Sequence, residues 1–216
     1  MSRKQPALAA ELAVGGGGRS VRDRTRDLLR RELADQAFDM FVERGFESTT
    51  MDDLAAGLGL SRSTLFRLFP TKEDLVLGAL RERGVELRDL LVARPSSEAP
   101  WLAIQNAFLA LSDLREVDVE RALRMLAMID ESPGLRARYV DMRENWVSLL
   151  LPEMARRCGV ADDGEADPAA RAIAAAALAC LDAAVRSWRR SHGVADFTDL
   201  INRSMQAVVQ EPGRVG

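Results

Sequence analysis

Between Ser48 and Asp74 the sequence reads STTMDDLAAGLGLSRSTLFRLFPTKED, two short apolar stripes of helical period separated by a glycine. Few folds accommodate that pattern. Met51, Leu54, Ala55 and Leu58 fall at i, i+3, i+4 and i+7, one face of a helix. Thr50, with Asp53 three residues on, forms a capping-box-like start. Gly59 tolerates the positive φ of a helix stop, and Ser61 can cap a second helix. In that second helix Leu65, Leu68 and Phe69 supply the buried side, while Arg62, Ser63, Thr64 and Arg67 are left at its N-terminal, solvent side. A helix-turn-helix lays such an end in the major groove of DNA. A purely structural αα-corner shares the two helices but has no use for a short helix that begins Arg-Ser-Thr. The pattern favours DNA binding.

The surrounding residues extend the motif. Phe41-Val42-Glu43-Arg44-Gly45-Phe46 ends a long first helix. Thr49-Thr50, Leu54-Ala55, Gly59-Leu60-Ser61, Leu65-Phe66 and Phe69 follow, with Lys72-Glu73 after Pro70-Thr71. As a set these residues resemble TetR-type transcriptional regulators over about 45 residues. The resemblance implies an all-α protein of about nine helices, three in an N-terminal helix-turn-helix domain and six in a C-terminal ligand-binding and dimerisation domain. It also implies a homodimer on a partly palindromic double-stranded DNA operator, released by a small-molecule effector. The expected DNA-binding residues are Thr50, Arg62, Ser63, Thr64, Phe66, Arg67 and Lys72. Phe66 and Leu68 depart from the family pattern, which often places tyrosine or histidine there; neither has a polar tip to offer the DNA backbone.

Charge supports this division. The chain carries 30 Lys+Arg against 33 Asp+Glu, a net −3. Residues 1–72 hold a balance of +2 and residues 73–216 one of −5. The lean is small, but it is toward the proposed DNA reader. A hydrophobic share of 47% fits a globular chain of this length with a core in each part. Cys158 and Cys180 read as free thiols of a reducing cytoplasm, and no Cys/His cluster has metal-ligand spacing. No signal segment and no apolar run of membrane-spanning length is evident, so a cytoplasmic protein without a membrane partner is expected.

Along the chain, residues 1–20 close in Gly15–Gly18 and read as a mobile extension. Arg19, Arg22, Arg24 and Arg26 then suit either a phosphate-touching arm or a solvated first turn. The DNA-binding domain is expected over 21–71, its first helix over about Arg24–Arg44 with Leu29, Leu33, Ala37, Phe38 and Phe41 as core. Residues 72–216 form the second domain. Its first helix opens at the Thr71/Asp74 capping pair and runs to Pro95 through Leu75, Leu80, Leu87 and Leu91. Helices follow at about Trp101–Leu114, Val119–Asp130, Leu135–Arg157, Pro168–Ser191 and Thr198–Val209, separated by turn-rich segments.

The alanine-rich helix at 168–191 allows close approach of a neighbour, and with the last helix it is the expected dimer surface. Asp182 is expected to pair with Arg186 one turn on. Phe108, Met125, Met128, Tyr139, Met142 and Trp146 are the candidate ligand-binding residues, since methionine and aromatic side chains make adaptable apolar walls; the same stripe suits plain core. The stretch Ile129–Arg138, with Trp146 and Arg186-Ser187-Trp188, resembles the mycofactocin-associated branch. That likeness implies an acyl-CoA effector, whose phosphates Arg136, Arg138 or Arg143 would meet; otherwise these arginines are a solvated helix face. No cofactor, metal or catalytic residue is expected. An all-α enzyme would need a nucleophile–base pair, and His192, the one histidine, stands in a Ser-His-Gly turn without an evident partner. A helical adaptor that has lost DNA binding is the other reading, though Arg62, Thr64 and Lys72 are all present.

Overall fold

The computed structural model describes residues 21–113, 118–160 and 168–209. Among the described residues there are nine helices and no strand: α1 (Val21–Arg44), α2 (Met51–Gly57), α3 (Arg62–Leu68), α4 (Lys72–Val92), α5 (Pro100–Asp113), α6 (Val119–Glu131), α7 (Pro133–Arg157), α8 (Pro168–Arg190) and α9 (Phe197–Val209). Each expected helix is found, with ends displaced by less than a turn. The extension at 1–20 and the side chains of Arg22 and Arg24 lie outside the described residues, and Arg26 is exposed.

The N-terminal helices pack on α1. Leu33, Ala37, Phe38 and Phe41 are buried together with Leu54, Ala55 and Leu65 of α2 and α3 and with Phe46 and Phe69. Leu29 does not join them. It is exposed, as is Leu28. Arg31 on α1 pairs with Glu82 on α4 at 2.6 Å.

In the second domain α7 packs on α4 and α8, and α8 on α9. α4 and α7 approach closely at Gly84, where an added Cβ would stand 2.6 Å from Cδ1 of Trp146 on α7. The far end of α4 is tied down by Arg157. Its side chain is 0% exposed, and its guanidinium donates to the carbonyls of Leu91 (3.1 Å), Arg94 (2.9 Å) and Pro95 (2.9 Å) while pairing with Glu153 at 2.7 Å. The last carbonyls of a helix lack intrahelical partners, so this one arginine both closes α4 and joins it to α7.

α8 corrects one expectation. At 23 residues it is long and apolar enough to cross a membrane by length and composition alone. Ala170, Ala174, Ala177, Leu178, Cys180 and Ala184 are nevertheless buried against its helical neighbours, as in a core helix. Ala172, Ala175, Ala179 and Ala183 form an exposed stripe on another face. Neither Cys158 nor Cys180 is in a disulfide, and the Cys180 thiol donates to the Ser204 carbonyl at 3.3 Å.

Candidate nucleic-acid interface and the sensor side

Gly45 ends α1 at φ +86, and Thr49, itself buried, donates its hydroxyl to the Gly45 carbonyl at 2.7 Å. Thr50 caps α2 in a complete capping box. Its Oγ1 accepts from the Asp53 N–H at 3.2 Å, and Asp53 Oδ2 accepts from the Thr50 N–H at 3.0 Å. Hydrogen bonds from Thr50 hold the Asp53 carboxyl below its ordinary range. Gly59 turns the chain at φ +65, and Ser61 caps α3 by accepting from the Thr64 N–H at 3.2 Å.

This frame fixes what α3 presents. Leu65 is fully buried, while Arg62, Ser63, Phe66 and Arg67 are exposed. Arg62 lies 3.2 Å from Asp52 of α2 and 5.4 Å above the Phe66 ring. Both charges of the Arg62–Asp52 pair are largely in water, so the pair contributes little and is readily exchanged for another anion. Phe66 thus acquires a role despite lacking a hydroxyl: it backs the Arg62 guanidinium. Thr64 is half-buried, 2.8 Å from the Ser61 hydroxyl, and Thr50 stays at the surface.

Lys72 is placed differently. Its side chain is only 20% exposed, and its ammonium donates to the carbonyls of Phe46 (2.8 Å) and Glu47 (3.4 Å), 4.4 Å above the Phe46 ring. It also faces Glu47 Oε2 at 3.6 Å.

Sequence reasoning missed the residues that join α1 and the α1–α2 turn to α6 and α7. Arg121 of α6 pairs with Asp35 (2.8 Å) and Asp39 (3.2 Å) on α1 and lies 4.2 Å over the Phe38 ring. Ser132, at the α6–α7 corner, donates its hydroxyl to Glu47 Oε1. A groove of about 500 Å³ separates the two surfaces, floored by Phe41, Phe46 and Met128. These partners lie 82 to 86 residues apart in the chain, and no local pattern announces them.

Of the candidate ligand residues, Phe108, Met128, Met142 and Trp146 are buried, and Met125 and Tyr139 pack against the same core. A polar cluster runs through them. Asp182 does not pair along its own helix with Arg186; its partner is Arg143 across the α7–α8 contact at 3.0 Å, because Arg143 reaches over to α8 and also donates to the Leu178 carbonyl. Tyr139 donates to the same carboxylate at 3.3 Å. Burial, with the Asp182 charge behind it, pushes the Tyr139 hydroxyl up to about 12. Arg143 therefore belongs to no solvated face: its side chain is 11% exposed and its guanidinium lies 4.7 Å over the Trp146 ring. Arg143 Nε and Trp146 Nε1 are buried without a hydrogen-bond partner. Arg136 and Arg138 are exposed, and Arg136 donates to the Asp130 carbonyl.

Two family models match the chain. One, bacterial regulatory proteins of the tetR family, covers residues 33–79, and the other, the MftR C-terminal domain, covers residues 98–212. The chain is 31% identical over 151 residues to the HTH-type transcriptional regulator TcmR of Streptomyces glaucescens, covering 67% of this chain and 65% of that protein. It is 28% identical over 136 residues to the putative mycofactocin biosynthesis transcriptional regulator MftR of Mycobacterium tuberculosis, covering 63% and 69%. The chain thus spans just under two thirds of TcmR. Among solved structures, Thermus thermophilus FadR, a TetR family transcriptional repressor in complex with lauroyl-CoA, superposes with a TM-score of 0.54 at 20% identity, covering 87% of this chain and all of that one.

Proposed function

This chain belongs to the TetR family of bacterial regulatory proteins, with an MftR-type C-terminal domain, and from that premise we propose that it is a cytoplasmic, homodimeric repressor released from a pseudo-palindromic operator by a hydrophobic effector. The observation that carries the reading is the surface of α3, where Arg62, Ser63, Phe66 and Arg67 stand exposed on a helix fixed by Ser61, the buried Leu65 and the α1 core. Arg62 reads bases, Ser63, Thr64 and Arg67 contact bases or adjacent phosphates, and Thr50 and Lys72 grip the backbone. Residues 21–71 are the reading domain and residues 72–216 the sensing and dimerising one.

The exposed alanine stripe of α8 and the exposed Val208 and Val209 of α9 supply the self-complementary surface of a two-fold dimer. The effector enters among Phe108, Met125, Met128, Tyr139, Met142 and Trp146. The unpartnered N–H groups of Arg143 and Trp146 favour an effector with an acceptor oxygen as well as an apolar body, since a buried donor without a partner is costly. A long-chain acyl-CoA meets that description and is the first candidate; FadR, bound to lauroyl-CoA, shares the fold. The CoA phosphates would then meet Arg136 and Arg138, both exposed, outside the core. A gel shift on DNA flanking the chain's own gene, with and without long-chain acyl-CoA, tests the reading. Specific retardation relieved by the thioester is expected, and no specific retardation would overturn it.

A further inference from the structure

Glu47, in the turn between α1 and α2, sends its two carboxylate oxygens to two separate places, the α6–α7 corner and the start of α4. Oε1 accepts the Ser132 hydroxyl at the α6–α7 corner, and Oε2 faces the Lys72 ammonium at 3.6 Å. An ammonium has three N–H donors. Two of those of Lys72 donate to the Phe46 and Glu47 carbonyls, and the third side of the ammonium faces the Glu47 carboxylate across 3.6 Å as an ion pair. A phosphate that approaches this side of Lys72 has to compete with that carboxylate. We propose that Glu47 is a positioning residue that withholds Lys72 from DNA, and that Ser132 clasps it in that position; the inference rests on the proposed grip of Lys72 on the DNA backbone.

Two features give the clasp direction. Ser132 is 2% exposed and caps α7, accepting from the Leu135 N–H, while its own N–H closes α6 on the Met128 carbonyl. Its hydroxyl is therefore fixed to both sensor helices and moves with them. Glu47 lies on a turn, its side chain 66% exposed. Freed from Ser132, the carboxylate has open water to move into, and the Lys72 charge is released toward phosphate. The carboxyl of Glu47 is held below its ordinary range, first by the Ser132 hydrogen bond and then by Lys72, so it competes as an anion at neutral pH. A clasped corner thus weakens the backbone grip, and an opened one strengthens it.

The test uses the full-length protein and a 30-base-pair duplex of arbitrary sequence (about three helical turns), because a phosphate contact carries no sequence information. Affinity is followed against salt for wild type, Glu47→Gln, Lys72→Ala, the double variant, Ser132→Ala and Ser132→Thr. Lys72→Ala is expected to weaken binding and to flatten the salt slope by about 0.9 for the one phosphate that the lysine would otherwise neutralise. Glu47→Gln keeps an acceptor for Ser132 but loses the charge facing Lys72. It is expected to tighten binding about threefold to tenfold at low salt, the effect of removing one competing charge. The double variant should bind no more tightly than Lys72→Ala alone. Ser132→Ala should reproduce part of the gain, and Ser132→Thr, which keeps both the hydroxyl and the helix cap, should restore wild-type behaviour if the clasp rather than the fold is responsible. Simple repulsion of DNA by Glu47 would instead give the same gain with or without Lys72, and that additivity overturns the proposal. So does a Glu47→Gln affinity equal to wild type while Lys72→Ala is impaired. If Lys72→Ala leaves affinity and slope unchanged, the backbone grip itself is ruled out, and the clasp with it.

Discussion

Gly84 and Trp146 share one space: the indole lies so close to the α4 backbone that a Cβ on Gly84 would stand 2.6 Å from Cδ1 and 2.8 Å from Cε2. A glycine within a helix sacrifices about 0.8–1.0 kcal/mol relative to alanine, and here the loss is offset by the close packing of α4 on α7. Gly84→Ala gains the propensity but has to displace a buried aromatic ring, and overpacking costs about 1–3 kcal/mol. The clash outweighs the gain. We expect a net loss of up to about 2 kcal/mol and a lower Tm by circular dichroism, with tryptophan fluorescence altered. A variant at least as stable as wild type with unchanged fluorescence would show that the contact is not tight in solution.

Arg62→Ala should relax sequence preference and cost about 1–3 kcal/mol if the guanidinium is bidentate to a guanine. Phe66→Ala should produce a weaker version of the same defect, since the ring backs that guanidinium at 5.4 Å. Lys72→Ala should weaken binding evenly on all sequences. Operator titrations against a scrambled duplex distinguish these patterns, and unchanged selectivity in Arg62→Ala removes the base-reading assignment.

Local chemistry made the reading unit legible in sequence. Both capping boxes, Thr50 with Asp53 and Thr71 with Asp74, lie within one turn of chain, and the structure contains each. Gly45 and Gly59 likewise stop their helices, each at positive φ. What stayed hidden is tertiary. Leu29 has the right period for the α1 core, yet burial depends on what else is there to pack, and it lies exposed. Asp182 has an arginine one turn on, yet its carboxylate is taken by Arg143 from another helix. A one-turn spacing gives only a few tenths of a kcal/mol to hold such a pair, too little to compete with a partner inside the core. Glu47 and Ser132, 85 residues apart, meet only because α6 and α7 turn their corner over the end of α1.

The α8 stripe predicts a specific way to break the dimer. Ala183 is exposed on α8, whereas Ala176 is partly covered within the protomer. Ala183→Arg should therefore disrupt the two-fold seam with little effect on the protomer fold, leaving monomers with poor operator affinity. In the intact dimer the two recognition helices should stand about 34–36 Å apart, or a multiple of that. Light scattering that finds wild type monomeric at micromolar concentration would count decisively against the seam.

Tyr139 is the one tyrosine in the chain, so its ionisation can be followed directly by tyrosinate absorbance. Its hydroxyl is pushed up to about 12, by burial first and by Asp182 against the opposing charge of Arg143, while an unfolded tyrosine titrates near 10. The native state thus favours the neutral phenol. Its contribution to stability is fully present below about pH 10 and is lost as pH rises toward 12. Folded protein should show no tyrosinate at pH 10.5, and protein in denaturant should show a majority. Ionisation of folded protein at the ordinary value would mean that the Tyr139–Asp182–Arg143 cluster is open to water.

Induction places the most demands on the structure, because the effector has to enter a core that is already packed. Phe108, Met142 and Trp146 are all at most 4% exposed. Space for an acyl chain therefore requires α7 to move relative to α4, and α4 carries Lys72 at its other end. The ligand must bind the displaced arrangement better than the DNA-competent one, since equal affinity for both shifts nothing. A tenfold fall in operator affinity requires only about 1.4 kcal/mol of that difference. Trp101, Trp146 and Trp188 all lie in the sensing domain, so binding is read by intrinsic fluorescence. Saturating long-chain acyl-CoA should change that fluorescence and weaken the operator complex together, and Arg143→Ala should blunt both by removing the unpartnered Nε donor. If neither signal moves, the acyl-CoA assignment fails, and an apolar effector bearing a different acceptor group takes its place.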